Sequence, residues 1–432
     1  MGDLLSFEDH GLLERFDRKE IELLASSAHR QFEAMRQKKQ IPWIELPHAE
    51  DAIREAEEIG SEIRAGFDHY LVFGIGGSAL GARFLWRALC GGQTEEKIAS
   101  EVIDHLESEI LQKRLESLNL ERTAVHFISN SGNTIETVAQ ALIVREWLVK
   151  NLGEEEASCH IYVTTGEGPN LLRSLAVEWK AEITAPLPKG LVGRFSILSS
   201  VGLIPAATAR IDIRELCLGA RDYDMNGRQV IESQGALSHP ALFSALFHEM
   251  ERRDGKRIAV CMSYSERLDQ FGLWLSQLWA ESLGKKGGGL TPLIARGVAD
   301  QHSLLQLFLG GPDDKIYTLI AVESSQEELK IPLIRESFLK ETPVAALSGQ
   351  PLSLLLRAEY RATVETLRNR KRPVMELSIP ELTPYWVGQL IAHFESMTTY
   401  AGILADVNPF DQPAVEECKI LIRKYLSSLS DK

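Results

Sequence analysis

Two stretches decide the fold: HYLVFGIGGSALGARFL, His69 to Leu85, and TAVHFISNSGNT, Thr123 to Thr134. Each is a short apolar run closed by glycine, serine and asparagine, with helix-forming residues beyond it. His69 to Phe73 therefore reads as a strand, Gly74 to Ser78 as a tight loop, and Ala79 onward as a helix. The second unit repeats this pattern, with a strand over 123–128, a polar loop over 129–134 and a helix over 135–148. Two strand–loop–helix units in succession predict a parallel α/β sheet with helices on its faces. A third strand is expected at Cys159 to Thr165, ending in Gly166-Glu167-Gly168-Pro169-Asn170.

Working outward, residues 1–66 alternate charged and apolar residues at helical spacing and predict a helical N-terminal segment. The first α/β unit is expected over 67–210. A second follows over 211–384, with strands at Arg257 to Ser263 and Lys315 to Val322 and a helix over Leu268 to Leu283. The glycine run in Lys285 to Pro292 marks a loop. From 385 to 432 the chain reads as a C-terminal helical arm.

At 432 residues, with 44% hydrophobic and 25% charged residues, the chain can bury sizeable cores. Its net charge of −14 argues against a nucleic-acid footprint or an anionic membrane surface, both of which favour excess lysine and arginine. No apolar run reaches membrane-spanning length, and the first residues lack the basic-then-apolar order of a signal peptide. The five cysteines, at 90, 159, 217, 261 and 418, are scattered without metal-ligand spacing. Free thiols in a reducing, cytoplasmic compartment are expected.

Gly74-Ile75-Gly76-Gly77-Ser78-Ala79 formally fits the dinucleotide fingerprint, with Asp104 at a tolerable distance to serve as the ribose-binding acid. The physics of such a loop is broader, because glycines let backbone N–H groups approach any oxyanion at a helix N-terminus. The second loop points to a small phosphorylated ligand: Ser129, Ser131 and Thr134 offer hydroxyls and Gly132 a bare backbone at the next helix start. Ser129 or Ser131 can equally act as a helix cap. Arg194, in Gly193-Arg194-Phe195-Ser196, can stabilise negative charge on a substrate oxygen or form a surface ion pair. Glu281, in Trp279-Ala280-Glu281, has neighbours able to desolvate a carboxylate, although a solvated helix glutamate is the common case. His302 and Lys419 carry no signal on their own, one being readable as a core histidine and the other as a solvated lysine.

Together, these segments resemble the phosphoglucose isomerase family in identity and order: GIGGSALG at 74–81, SNSGNT at 129–134 and GRFSILSSVGLIP at 193–205. Further on come WAESLGK at 279–285, DQHSLLQLFLGGPDDK at 300–315 and NPFDQPAVEECK at 408–419. The resemblance implies an α/β fold of two flavodoxin-like sugar-isomerase (SIS) domains with parallel sheets, a helical N-terminal cap and a C-terminal helical arm. It implies reversible conversion of glucose 6-phosphate to fructose 6-phosphate, in glycolysis and gluconeogenesis, with neither metal nor cofactor. Glu281 would be the base that moves a proton between C2 and C1, and Arg194 would stabilise the enediolate. His302, contributed by the second subunit of a homodimer, and Lys419 would assist ring opening. Ser129, Asn130, Ser131, Gly132, Asn133 and Thr134 would form the phosphate site, while Gly77, Ser78 and Gln412 would line the sugar.

Two departures from the family pattern stand out. Many members carry lysine where this chain has Asn130, and a glycine-rich G-V-E-L-G-K is usual where Ala414 to Lys419 reads AVEECK. The SNSGNT loop is also similar to that of bifunctional phosphoglucose/phosphomannose isomerases. The remaining alternatives are a non-catalytic sugar-phosphate-binding SIS regulator and a nicotinamide-dependent oxidoreductase.

Overall fold

The computed structural model describes residues 5–90, 98–234, 239–324 and 328–430. The N-terminal segment supplies strand β1 (Ser6–Glu8) and helices α1 (Arg18–Gln37) and α2 (Glu50–Gly66). The next stretch runs β2 (His69–Phe73), α3 (Gly77–Cys90), β3 (Ala99–Ile103), α4 (Ser108–Glu116) and β4 (Thr123–Ser129). It continues through α5 (Ile135–Leu152), α6 (Glu154–Cys159), β5 (Ile161–Thr165), α7 (Leu171–Trp179), β6 (Glu182–Ile183) and α8 (Ser200–Thr208). These strands form one parallel sheet in the order β3-β2-β4-β5-β6. The order is that of a flavodoxin-like sheet, in which the chain leaves β2 in one direction to β3 and in the other to β4. The loops after β2 and β4 consequently lie side by side at the switch point.

The second half repeats the arrangement. It comprises α9 (Ile213–Gln234), α10 (His239–Arg252), β7 (Ile258–Ser263), α11 (Asp269–Leu283), β8 (Thr291–Arg296), α12 (Gly297–Gln301) and α13 (Leu305–Gly310). There follow β9 (Lys315–Val322), α14 (Leu352–Asn369), β10 (Val374–Ile379), α15 (Pro384–Leu404) and α16 (Pro413–Ser430). The second sheet has the order β1-β10-β9-β7-β8 and is parallel except at β1.

Strand β1 corrects the purely helical reading of the N-terminal segment. Ser6, Phe7 and Glu8 pair antiparallel with Ser378, Leu377 and Glu376, covering what would otherwise be an open sheet edge. Phe7 turns inward against Phe243 and His393, with ring centroids 5.4 and 4.7 Å away. Strand β8 takes in Thr291 and Pro292, which the adjoining glycine run predicts to be loop. A proline is tolerated there because β8 is the other edge of the sheet.

One continuous apolar layer joins the sheets. Tyr70 and Val72 of β2, Ile197 and Ile204 beside and within α8, Trp274 and Leu278 of α11, Ile316 and Ile320 of β9, and Leu390 and Phe394 of α15 all belong to it. The outer face of each sheet has its own smaller cluster: α4, α5 and α7 cover the first, while α13 and α14 cover the second. Helix α11 thus runs through the middle of the molecule, packed on α3 and α15. That places Glu281 beside the loops of the first sheet.

Candidate active site

The glycine loop after β2 makes a close approach to protein backbone. A Cβ on Gly77 would lie 2.2 Å from the carbonyl carbon of Gly193 and 2.6 Å from the nitrogen of Arg194. Only glycine permits this contact, which brings the loop carrying Arg194 against the start of α3. Gly76, at φ 56°, is similarly close to Gln277 of α11, with its missing Cβ 2.8 Å from Nε2. Ser78 is buried on the same turn.

Arg194 sits in a single 3-10 turn, Gly193–Phe195, and is 2% exposed. Phe195 anchors the turn between Trp43 and Phe410, at 5.9 and 5.2 Å. The guanidinium donates through Nε to Ser282 Oγ at 2.7 Å and through Nη1 to Gln412 Oε1 at 3.2 Å. Nη2 donates to the carbonyls of Pro409 at 2.5 Å and Asp411 at 3.1 Å. Its carboxylate neighbour is Glu281, whose Oε1 lies 3.3 Å from Nη1. Burial pulls the Arg194 pKa down, opposed by Glu281 and Asp411, but a guanidinium starts so high that the charge persists.

Glu281 is near the C-terminal end of α11, and its side chain is about a quarter exposed. One turn earlier on the same helix, Gln277 donates from Nε2 to Glu281 Oε2 at 3.1 Å. Both carboxylate oxygens are therefore held, one by a fixed cation and the other by an amide. Lys285 holds the adjoining 408–411 loop, 2.9 Å from Asp411 Oδ1 and bonded to the carbonyls of Ser282 and Asn408. The Lys285 ammonium holds the Asp411 carboxyl below its ordinary range.

In the loop after β4, Thr134 occupies the cap position of α5 without capping it through its side chain. Its hydroxyl instead meets Ser129 Oγ at 2.8 Å, and Ser129 Oγ accepts from the Gly132 N–H at 3.1 Å. Neither Ser129 nor Ser131 is the α5 cap, so the first N–H groups of that helix face the loop without a side-chain acceptor. Gly132 has φ 62°, and a Cβ there would fall 1.9 Å from Asn170 Oδ1. Asn170 in turn caps α7 by accepting from Arg173 N at 2.9 Å. Asn130 donates from Nδ2 to the Leu191 carbonyl at 2.6 Å, and Asn133 Oδ1 accepts from Leu171 N at 3.1 Å. The asparagine in the lysine position thus ties the loop to the chain leading to Arg194.

The fold brings Gly77, Arg194, Glu281 and Gln412 together. His302 is exposed at the end of α12. Lys419 is exposed on α16 and pairs with Glu416 at 2.7 Å. Among the described residues, no hydrogen bond or ion pair joins either to Arg194 or Glu281. Asp104, the acid a nucleotide reading would use, is paired with Arg83 at 2.8 Å.

Sequence reasoning misses Gln277, Ser282, Lys285 and Asn170. The four-residue spacing of Gln277 from Glu281 and the position of Asn170 before a helix are the available signals.

The phosphoglucose isomerase profile matches residues 49–432. The chain belongs to the phosphoglucose isomerase family. It is 36% identical over 390 residues to a glucose-6-phosphate isomerase of Thermus thermophilus, covering 89% of this chain and 90% of that one. It is 35% identical over 400 residues to that of Carboxydothermus hydrogenoformans, covering 89% and 84%. Among solved structures, a hypothetical protein of Thermus thermophilus superposes with a TM-score of 0.88 at 34% identity, over 98% of this chain and all of that one. A glucose-6-phosphate isomerase from Chlamydia trachomatis shares the fold at a TM-score of 0.73 and 22% identity, over 89% and 74%. Within the phosphoglucose isomerase fold, the cluster around Arg194 and Glu281 lies where the two sheets meet.

Proposed function

We propose that this chain is a glucose-6-phosphate isomerase, interconverting glucose 6-phosphate and fructose 6-phosphate through an enediolate. The observation that carries the assignment is the buried Arg194 guanidinium, fixed by four hydrogen bonds and set 3.3 Å from the Glu281 carboxylate. Abstracting a proton alpha to a carbonyl needs a positioned carboxylate and a cation that does not reorganise as charge develops. Glu281 takes the C2 proton of the open-chain aldose, and the C–H electrons become the C1–C2 double bond of the enediolate. Arg194 stabilises the oxygen that gains charge. A proton passes from the C2 hydroxyl to the C1 oxygen, and Glu281 then returns the carbon-bound proton to C1 as the C2 oxygen becomes the ketose carbonyl.

The phosphate goes to Ser129–Thr134, where two hydroxyls, the Gly132 turn and the start of α5 converge. Gly77, Ser78 and Gln412 line the sugar. Ring opening falls to His302, contributed by a second copy of the chain, and to Lys419. Two features support a homodimer: His302 is exposed and outside the Arg194 contacts, and α16 exposes Val415, Ile420, Leu421 and Leu426. We assign 67–210 and 211–384 to two SIS domains, with the helical segments on either side completing the site, and place the enzyme in the cytoplasm.

The test is conversion of fructose 6-phosphate to glucose 6-phosphate by the purified protein with EDTA present. Mannose 6-phosphate is run in parallel, because an enediolate has lost the C2 configuration that distinguishes the two aldoses. Binding without conversion of any of the three would overturn the assignment in favour of a regulator.

A further inference from the structure

Away from this site, a cleft of about 970 Å³ lies between the N-terminal segment, α14 and the exposed side of β10. Its floor follows from strand alternation: Val374, Glu376 and Ser378 point into the cleft, while Met375, Leu377 and Ile379 enter the core. Arg357, Arg361 and Arg368 line one wall. At about 100° per residue these positions fall on one stripe of α14, spanning about 16 Å along its axis. Among the described residues, none of the three has an ion-pair partner, whereas Arg83, Arg114, Arg122, Arg214 and Arg221 each meet a carboxylate. In a chain of net charge −14, three uncompensated guanidiniums on one wall form a local basic patch. Arg15 and Arg372 also line the cleft but are paired with Asp254 and Asp313.

The carboxylates of the cleft are Glu8, Glu323, Glu365 and Glu376. Glu8 and Glu376 face each other across the β1–β10 ladder, an unfavourable like-charge pair. His10 lies against both, in contact with Glu376 and 3.8 Å from Glu8. Tyr360 also lines the cleft; it is 9% exposed, and its hydroxyl lies beside the Glu376 carboxylate. Burial, and then the nearby Glu376 carboxylate, push the phenol pKa up, so it remains a donor.

We propose that this cleft binds a linear anion carrying several phosphates, bridged by Arg357, Arg361 and Arg368 and met by the Tyr360 hydroxyl. A single phosphate is too small to reach all three guanidiniums along a stripe of about 16 Å. Inorganic polyphosphate and a nucleoside triphosphate share the chemistry, and two titration arms separate them. Tripolyphosphate and adenosine triphosphate are titrated calorimetrically into the full chain in metal-free buffer, with glucose 6-phosphate saturating the catalytic pocket. Binding is expected to persist, and Arg361→Ala or Arg368→Ala should each weaken it about tenfold, the scale of one charge-assisted hydrogen bond. Tyr360→Phe should weaken it less, without loss of thermal stability. Equal affinity for the two probes identifies the phosphate chain as the determinant, and tighter binding of the nucleotide adds a base contact. No binding, binding displaced by glucose 6-phosphate or lost in Ser131→Ala, or binding indifferent to the arginines would each overturn the proposal. The three arginines are exposed, so their variants should fold.

Discussion

Replacing Gly77 with alanine tests whether contact between the glycine loop and the arginine turn sets the active-site geometry. The new Cβ would lie 2.2 and 2.3 Å from the carbonyl carbon and oxygen of Gly193 and 2.6 Å from the Arg194 nitrogen. Non-bonded heavy atoms rest at about 3.5 Å, so the two segments must separate by roughly 1 Å. Neither can yield through a side chain, since both colliding surfaces are backbone. The Arg194 guanidinium is meanwhile held from the far side by Ser282, Pro409 and Asp411. The strain therefore falls on the Arg194–Glu281 geometry. Misplacement by about 1 Å costs on the order of 100-fold in turnover, and overpacking costs about 1–3 kcal/mol in stability. The matched control is Gly81→Ala, one turn along the same helix, where the Cβ would meet Ile197 Cγ1 at 3.1 Å and a side chain can give way. The assay couples glucose 6-phosphate formation from fructose 6-phosphate to a dehydrogenase, alongside thermal melts. Equal turnover by Gly77→Ala and Gly81→Ala would refute the reasoning.

Three further outcomes are expected. Glu281→Gln keeps its fold and substrate affinity but loses about 10²- to 10⁴-fold in kcat, read by steady-state kinetics; near-normal kcat would remove Glu281 as the base. Mixing Glu281→Gln with His302→Ala after subunit exchange should restore about a quarter of wild-type activity, since half the dimers are hybrids with one complete site each. No recovery would place His302 in its own subunit's site. His126, held between Tyr70 Oη at 2.6 Å and Thr164 Oγ1 at 2.7 Å, is buried, which lowers its pKa from 6.5 to about 3. The unfolded chain binds that proton more readily, so this residue's contribution is complete above pH 6.5 and lost as pH falls toward 3. The slope is at most about 1.4 kcal/mol per pH unit. Denaturant melts between about pH 7 and pH 4 should show a shallower decline in His126→Gln than in wild type.

The strands at 69–73, 123–129 and 315–322 are legible because each is a buried apolar run closed by turn residues, as central parallel strands are. Those missed, at 6–8, 99–103, 182–183 and 291–296, are edges, where fewer residues are buried and polar side chains or proline are tolerated. Strand 374–379 alternates core and cleft residues, a signal present in the sequence but short.

By itself, the sequence determined the strand–loop–helix units, the family and the residue types of the chemistry, because glycine loops, hydroxyl clusters and apolar runs act locally. Tertiary structure decided which of them meet. Gly77 touches Arg194, and Glu281 reaches it from a helix of the other half of the chain, because the two sheets share one apolar layer with α11 in its middle. The same packing left His302 and Lys419 outside that contact and opened a basic cleft beside β10. No local pattern specifies such distances, since they depend on how the helices pack.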